Sequence, residues 1–206
     1  MLTLKHWFGT VILSGIVLMI ASTSHAIQFS ADMIQKRQHK TDRFKLHVRN
    51  HQYRIKMHQN GTELIVLVNR KRGITRVLMP GEKKYMQMKN SSQRSQMNNP
   101  FESFHQSSKK YETKEIGQEV YEGFECTKAL IASGGKKLFT GWISNELNFP
   151  LKIIFHLEKG MLVELENIRQ GPVDAALFDM PRGYAKRETK KPETSRRKKA
   201  KGPEKK

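Results

Sequence analysis

The stretch from Leu138 to Tyr184, LFTGWISNELNFPLKIIFHLEKGMLVELENIRQGPVDAALFDMPRGY, constrains the fold most. It holds three short runs rich in apolar residues, separated by Asn145 to Pro150 and by Lys159-Gly160. None is long enough for an ordinary helix, and Gly and Pro punctuate them. Three antiparallel strands joined by short turns satisfy that pattern. Asp174 to Asp179 reads as one helical turn seating Leu177 and Phe178, with Asp as a turn cap.

The upstream chain repeats the rhythm. Gln28 to Gln38 begins as a strand with Phe29, Ala31 and Met33 on one face. Lys40 to Arg43 reads as a turn. Phe44, Leu46 and Val48 alternate with Lys45, His47 and Arg49, and Tyr53, Ile55 and Met57 with Arg54, Lys56 and His58. This is the period-2 signature of half-buried strands. Asn60-Gly61 is a two-residue hairpin signal. Leu64 to Val68 reads as a strand covered on both faces, Ile74 to Met79 as its return, and Lys84 to Met88 as a further strand after Pro80-Gly81. Tyr111 to Val120 and Gly123 to Ala132 pair around Tyr121-Glu122-Gly123, and Ser133-Gly134-Gly135 turns again. Strands follow strands, so the class is mainly β (α+β) with an antiparallel sheet, not a βαβ repeat. Asn90 to Ser108 interrupts the meander with Ser, Gln and Asn. Pro100 suits a first helical position, so a short helix over one sheet opening competes with a disordered excursion.

Residues 1–26 stand apart. Lys5 and His6 precede an apolar run from Phe8 to Ile20, and Ser24-His25-Ala26 is a small-x-small cleavage site, the layout of a cleavable signal peptide. The alternative is an uncleaved anchor. The expected division is 1–26 signal peptide, 27–184 a β domain, and 185–206 a disordered basic tail. Net charge is +19, and Arg182 to Lys206 carries twelve Lys and Arg against three Glu. In an exported chain such a tail meets phospholipid head groups and acidic glycans, not nucleic acid. Arg196, Arg197, Lys198, Lys199 and Lys201 are the candidate polyanion-binding residues, and a purely solubilising tail is the alternative. A location in the bacterial periplasm follows from export together with the lone Cys126, which leaves the fold without an intramolecular disulfide.

Catalytic patterns are missing. Ser133 and Ser144 have no Gly-x-Ser-x-Gly frame, and there is no phosphate loop or metal-protease helix. The expectation is a non-enzyme with no cofactor. His39, His47, His51 and His58 cluster in sequence, but on cationic strand faces without acidic co-ligands, so no metal is expected. Cys126, beside Phe124, reads as a buried, inert thiol. Met57, Met79, Met86, Met88 and Met161 are many thioethers for one sheet. They either fill a core or line a surface that re-packs around apolar ligands.

Gly141-Trp142-Ile143-Ser144, Leu147 and Pro150-Leu151-Lys152 resemble the W-[IV]-[SD]…L-x-x-P-x-K pattern of LolA-like proteins. Glu164 to Ile168, Pro172-Val173-Asp174, Leu177-Phe178 and Pro181-x-Gly183-Tyr184 continue it. Glu119 to Lys128 resembles the G-x-E-x-V-x-G-[FY]-x-C-x-K segment of the DUF4412 family. The resemblance spans roughly Phe29 to Tyr184. It implies an incomplete antiparallel β-barrel with short helices closing one opening, and a periplasmic role in holding acyl chains or other lipids. Leu46, Val48, Tyr53, Ile55, Met57, Val66, Met79, Tyr85 and Trp142 are the candidate cavity lining. The expected partner is a lipid or other amphiphile; the alternative is docking on an anionic envelope surface or acidic partner through the basic tail.

Overall fold

In the computed structural model, residues 27–187 are described, except positions 60, 98, 158 and 159. Residues 1–26 and 188–206, which include the expected signal peptide and most of the expected tail, lie outside them.

The first meander runs β1 (Gln28–Arg37), β2 (Lys40–Arg49), β3 (Gln52–Gln59), β4 (Thr62–Asn69), β5 (Ile74–Met79) and β6 (Lys84–Lys89). Two helices follow, α1 (Gln93–Met97) and α2 (Pro100–Lys110). The second meander is β7 (Glu112–Tyr121), β8 (Phe124–Ser133), β9 (Lys136–Ser144), β10 (Phe149–Phe155) and β11 (Met161–Gln170), with β12 (Ala185–Lys186) at the end. These strands form one open, curved sheet in the order β12-β6-β5-β4-β3-β2-β1-β11-β10-β9-β8-β7. Pairing is antiparallel throughout except between β12 and β6. The meanders join where β1 pairs with β11. The mainly β class and the incomplete barrel expected from the sequence are thus what the chain forms.

Turn chemistry sets the register. Glu122-Gly123 and Gly134-Gly135 close the β7–β8 and β8–β9 hairpins with both residues at positive φ, as two-residue type I′ turns require. One turn lies earlier than the sequence suggests. Arg37 pairs with Lys40, so Gln38-His39 is the turn and Lys40 to Arg43 extends β2. Those charged residues sit beyond the apolar core and are held by ion pairs instead, Lys40 with Asp42 and Arg43 with Asp32 and Glu166.

Alternation separates two faces. Phe29, Met33, Phe44, Leu46, Val48, Tyr53, Ile55, Val66 and Val68 are buried on the inner face. The Ser-rich interruption becomes ordered there for a topological reason. β6 and β7 are consecutive strands at opposite sides of the sheet, so the connection must cross it. It crosses as α1 and α2, and Phe101 and Phe104 of α2 bury in the main core. Asn99 caps α2 by accepting from the Glu102 N–H at 3.3 Å, and Pro100 follows at the first turn. Burying the two Phe side chains contributes about 3–6 kcal/mol, at roughly 1.5–3 kcal/mol each. Gly141 of β9 permits the approach, since a Cβ there would lie 2.4 Å from Cζ of Phe104.

A polar lock completes the docking of α2. Glu102 is fully buried and accepts from Arg70 Nε at 3.0 Å and from the Tyr53 hydroxyl at 3.2 Å. Asn99 Nδ2 donates to the Tyr53 oxygen at 2.7 Å. Burial, with the Glu102 charge beside it, pushes the Tyr53 hydroxyl well above the usual phenol range. Arg70 also stacks its guanidinium 5.2 Å from the Tyr53 ring and 5.5 Å from the Phe149 ring. Thr75, Asn90 and Ser95 tie α1 down with bonds of 2.8 Å.

The C-terminal segment straps the outer face. Gln28 accepts from Val173 N–H at 2.9 Å, and Asp174 caps a 3-10 turn (Ala175–Phe178) that buries Phe178. The segment then reaches β6, where β12 adds a short parallel strand. At the far side β7 has β8 as its only neighbour among the described residues. Its residues from Glu112 to Val120 are exposed, Ile116 and Val120 among them, and its register shifts between Glu115 and Gly117.

Candidate functional site

The inner face is filled where α2 lies and hollow beyond it. A cavity of about 330 Å³ lies between the β1–β6 half of the sheet, Phe155 and Met161 of the other half, and the α1–α2 segment. Its apolar walls include Met33, Phe44, Met57, Leu64, Val66, Val77, Met79, Met86, Met88, Met97, Phe155 and Met161. Seven of the ten methionines of the chain therefore line one cavity. Alternation explains how they converge. Met33 pairs with Phe44, Met57 with Leu64 and Val77 with Met86, so they form same-face rows across neighbouring strands. Unbranched thioethers fill irregular space and change rotamer readily, so such a wall adapts to differently shaped apolar guests.

The cavity has an apolar floor and a charged mouth. Met33, Val66, Phe155 and Met161 are buried, whereas Arg37, Lys40, His58 and Arg94 are exposed around it. Arg37 Nε donates to Met161 Sδ at 3.1 Å, and with the Gln35 amide oxygen turned toward it, Gln35 accepts from Arg37 Nη2 at 2.6 Å. Asp42 is the one carboxylate in the lining among the described residues and pairs with Lys40 at 3.1 Å.

Of the residues picked from the sequence, Met57, Val66 and Met79 line the cavity. Leu46, Val48, Tyr53 and Ile55 share its face but are packed solid beneath α2. Tyr85 and Trp142 need correction. Tyr85 pairs with Leu78, one position out of phase with Met86 and Met88, and so belongs to the outer face. Trp142 follows Gly141, whose Cα faces Phe104, and is likewise turned outward. Lys128 and Lys152, opposite it on β8 and β10, place their ammonium groups 4.8 and 5.2 Å from the indole ring. The indole N–H donates to Glu119 at 2.6 Å. Sequence reasoning missed Met33, Phe44, Leu64, Val77, Met97 and Phe155; Leu64 is in phase with Val66 on β4 and Val77 with Met79 on β5, which carried a signal for those two. Arg196, Arg197, Lys198, Lys199 and Lys201 lie outside the described residues.

The remaining candidates are inert or structural. Cys126 is fully buried, and burial pushes its thiol pKa up. His47 is half-buried with Nδ1 unpartnered, and burial with nearby Arg54 and Lys45 holds its pKa below the usual histidine range. Among the described residues no group of three or more His, Cys, Asp and Glu is arranged to hold a metal ion. No helix among them is long and apolar enough to cross a membrane. A second, larger groove of about 680 Å³ lies under the C-terminal strap, but Arg49, His51, Lys71, Arg72 and Arg76 make it polar and cationic.

Among curated proteins none matches the sequence. An uncharacterized conserved protein from Thermus thermophilus has a similar fold, with a TM-score of 0.53 at 9% identity over 79% of this chain and 90% of that one. PNGF-II is similar at a TM-score of 0.50 and 11% identity, over 78% of this chain but only 31% of its own. LolA superfamily protein NE2245 from Nitrosomonas europaea aligns at a TM-score of 0.36 and 9% identity, over 75% and 90% of the two chains. The family described as "Domain of unknown function (DUF4412)" matches residues 23–148, which includes the Glu119 to Lys128 segment and every lining residue except Phe155 and Met161, and the chain belongs to that family.

Proposed function

We propose that the protein is an exported, periplasmic binding protein that holds a hydrophobic or amphiphilic ligand, a lipid or acyl chain, in the methionine-lined cavity without transforming it. The cavity carries this reading. A well-packed domain leaves few voids larger than a water molecule, yet here about 330 Å³ of apolar space is framed by seven adaptable side chains. Burying an acyl chain there contributes about 0.8 kcal/mol per methylene. The Ser24-His25-Ala26 cleavage site supports export.

The test is lipid extraction and native mass spectrometry of protein purified from the cell envelope, alongside titration with a neutral apolar fluorophore. Bound lipid and a saturable fluorescence rise are expected, and Val77→Trp, which fills the cavity, should abolish both. Empty protein that also fails to bind the fluorophore would end this reading. The cationic groove beneath the strap favours a second one, docking on anionic envelope polymers together with the basic tail. It predicts salt-sensitive binding that is lost when residues 186–206 are deleted.

A further inference from the structure

We propose that the occupant of the cavity is a single-chain amphiphile with an anionic head, a carboxylate or phosphate, whose chain lies among the methionines and whose head is held by Arg37 and Lys40. This rests on the reading of the cavity as a ligand site. Three observations lead to the narrower class.

The first is size. Water occupies about 30 Å³ per molecule in the liquid and a methylene group is of similar bulk, so 330 Å³ accommodates on the order of ten chain carbons. One chain of ordinary length fills that space. Lipids with two or three chains need a multiple of it.

The second is the distribution of charge. The floor offers no ionic group, while Arg37 and Lys40 stand at the mouth with Asp42 as the one carboxylate of the lining among the described residues. An ammonium head placed beside Arg37 would meet like charge. A carboxylate or phosphate would meet complementary charge where the apolar wall lowers the effective dielectric.

The third is the posture of Arg37. The residue is exposed, but its Nε and Nη2 are turned to the lining, bonded to Met161 Sδ and braced by Gln35. The fork of N–H groups that remains matches a two-oxygen anion, and a pre-positioned guanidinium loses little side-chain freedom on binding one. Lys40, paired with Asp42 at 3.1 Å, stands at the same rim and offers its remaining N–H groups.

The test compares dodecanoate, dodecyl phosphate, dodecyl maltoside and dodecyltrimethylammonium, below their micelle concentrations, as competitors of the neutral dye N-phenylnaphthylamine on the intact mature protein. The anionic ligands should bind about tenfold tighter than the maltoside, as a charge-assisted hydrogen bond allows, and the ammonium should bind weakest. The tighter of the two anions identifies the head group. Arg37→Gln should reduce the anions to the level of the maltoside while leaving dye affinity in place. Lys137→Gln, a remote exposed cation, should change nothing. Equal affinity for all heads, a preference for the ammonium, or an unchanged anion preference in Arg37→Gln overturns this proposal while the cavity reading stands. Failure of every ligand and of the dye removes the cavity reading itself, and this one with it.

Discussion

Gly141→Ala isolates the contact that seats α2. The added Cβ would lie 2.4 and 2.5 Å from Cζ and Cε2 of Phe104 and 3.3 Å from Cε1. Carbon atoms rest at about 3.5–4.0 Å, so the overlap exceeds about 1 Å and rotation of the ring in its own plane does not relieve it. Phe104 is itself boxed in, edge to face with Phe139 at 6.1 Å. Either α2 lifts or the ring leaves its site. Overpacking typically costs about 1–3 kcal/mol, and complete eviction of the ring is bounded by the roughly 3–5 kcal/mol of a Phe-to-Ala truncation. A loss of about 2–4 kcal/mol by urea denaturation is expected from those two bounds. Phe104→Ala supplies the decisive background. With the ring gone, the three nearest clashes of the methyl group introduced at position 141 are removed, and a strand Gly replaced by Ala gains about 0.5–1 kcal/mol from the less disordered unfolded chain. The same substitution should therefore change sign. A cost below about 0.5 kcal/mol in the wild-type background, or equal costs in both backgrounds, refutes the packing account.

The buried lock makes a second prediction. Glu102→Ala leaves Arg70 and the Tyr53–Asn99 pair without their common acceptor, and the cost of about 3–5 kcal/mol for breaking a buried ion pair is here an upper bound, since Arg70 keeps 21% of its side chain exposed; thermal unfolding should show a loss below it, and loss of the α2 signal in hydrogen exchange should precede global unfolding. A third concerns pH. Burial above all, with nearby cationic side chains, holds both His47 and His105 below the usual histidine range. The unfolded chain therefore binds their protons first, so the stability they contribute is complete above about pH 6.5 and declines as pH falls through the window below it. His47→Gln should flatten that decline in urea midpoints measured between about pH 7 and 5, and an unaltered slope would contradict the burial of this ring.

Most strands were legible because period-2 alternation and turn chemistry are local. Phe44 to Val48, Tyr53 to Met57 and the Tyr121-Glu122-Gly123 turn needed no tertiary information. The Asn90 to Ser108 interruption was not legible as two helices, because its order comes from partners distant in sequence: Tyr53 and Arg70 for Glu102, and Gly141 for Phe104. Five of the seven lining methionines stand out in the sequence, Met57, Met79, Met86, Met88 and Met161, but their convergence with Met33 and Met97 depends on strand register and on the placement of α1. Trp142 misled because a buried aromatic side chain on a strand gives no sign of its face. Only the phase of its neighbour Gly141, fixed by a helix, settles that.

The free side of β7 has a consequence for how the protein lives in a concentrated compartment. An unpaired strand edge is a template for the backbone of any extended chain. Here the register shift at Gly117 divides the edge into Glu112–Glu115 and Gly117–Tyr121, so no long flat ladder is offered. Glu112, Lys114, Glu115, Gln118 and Glu119 flank the exposed Ile116 and Val120, and an incoming strand would have to dehydrate those charges. At the opposite side the two-residue β12 pairs with Lys84 and Tyr85 at the start of β6. The open sheet thus leaves its hollow uncovered while guarding, along β7, a rim where sheets otherwise fuse into aggregates.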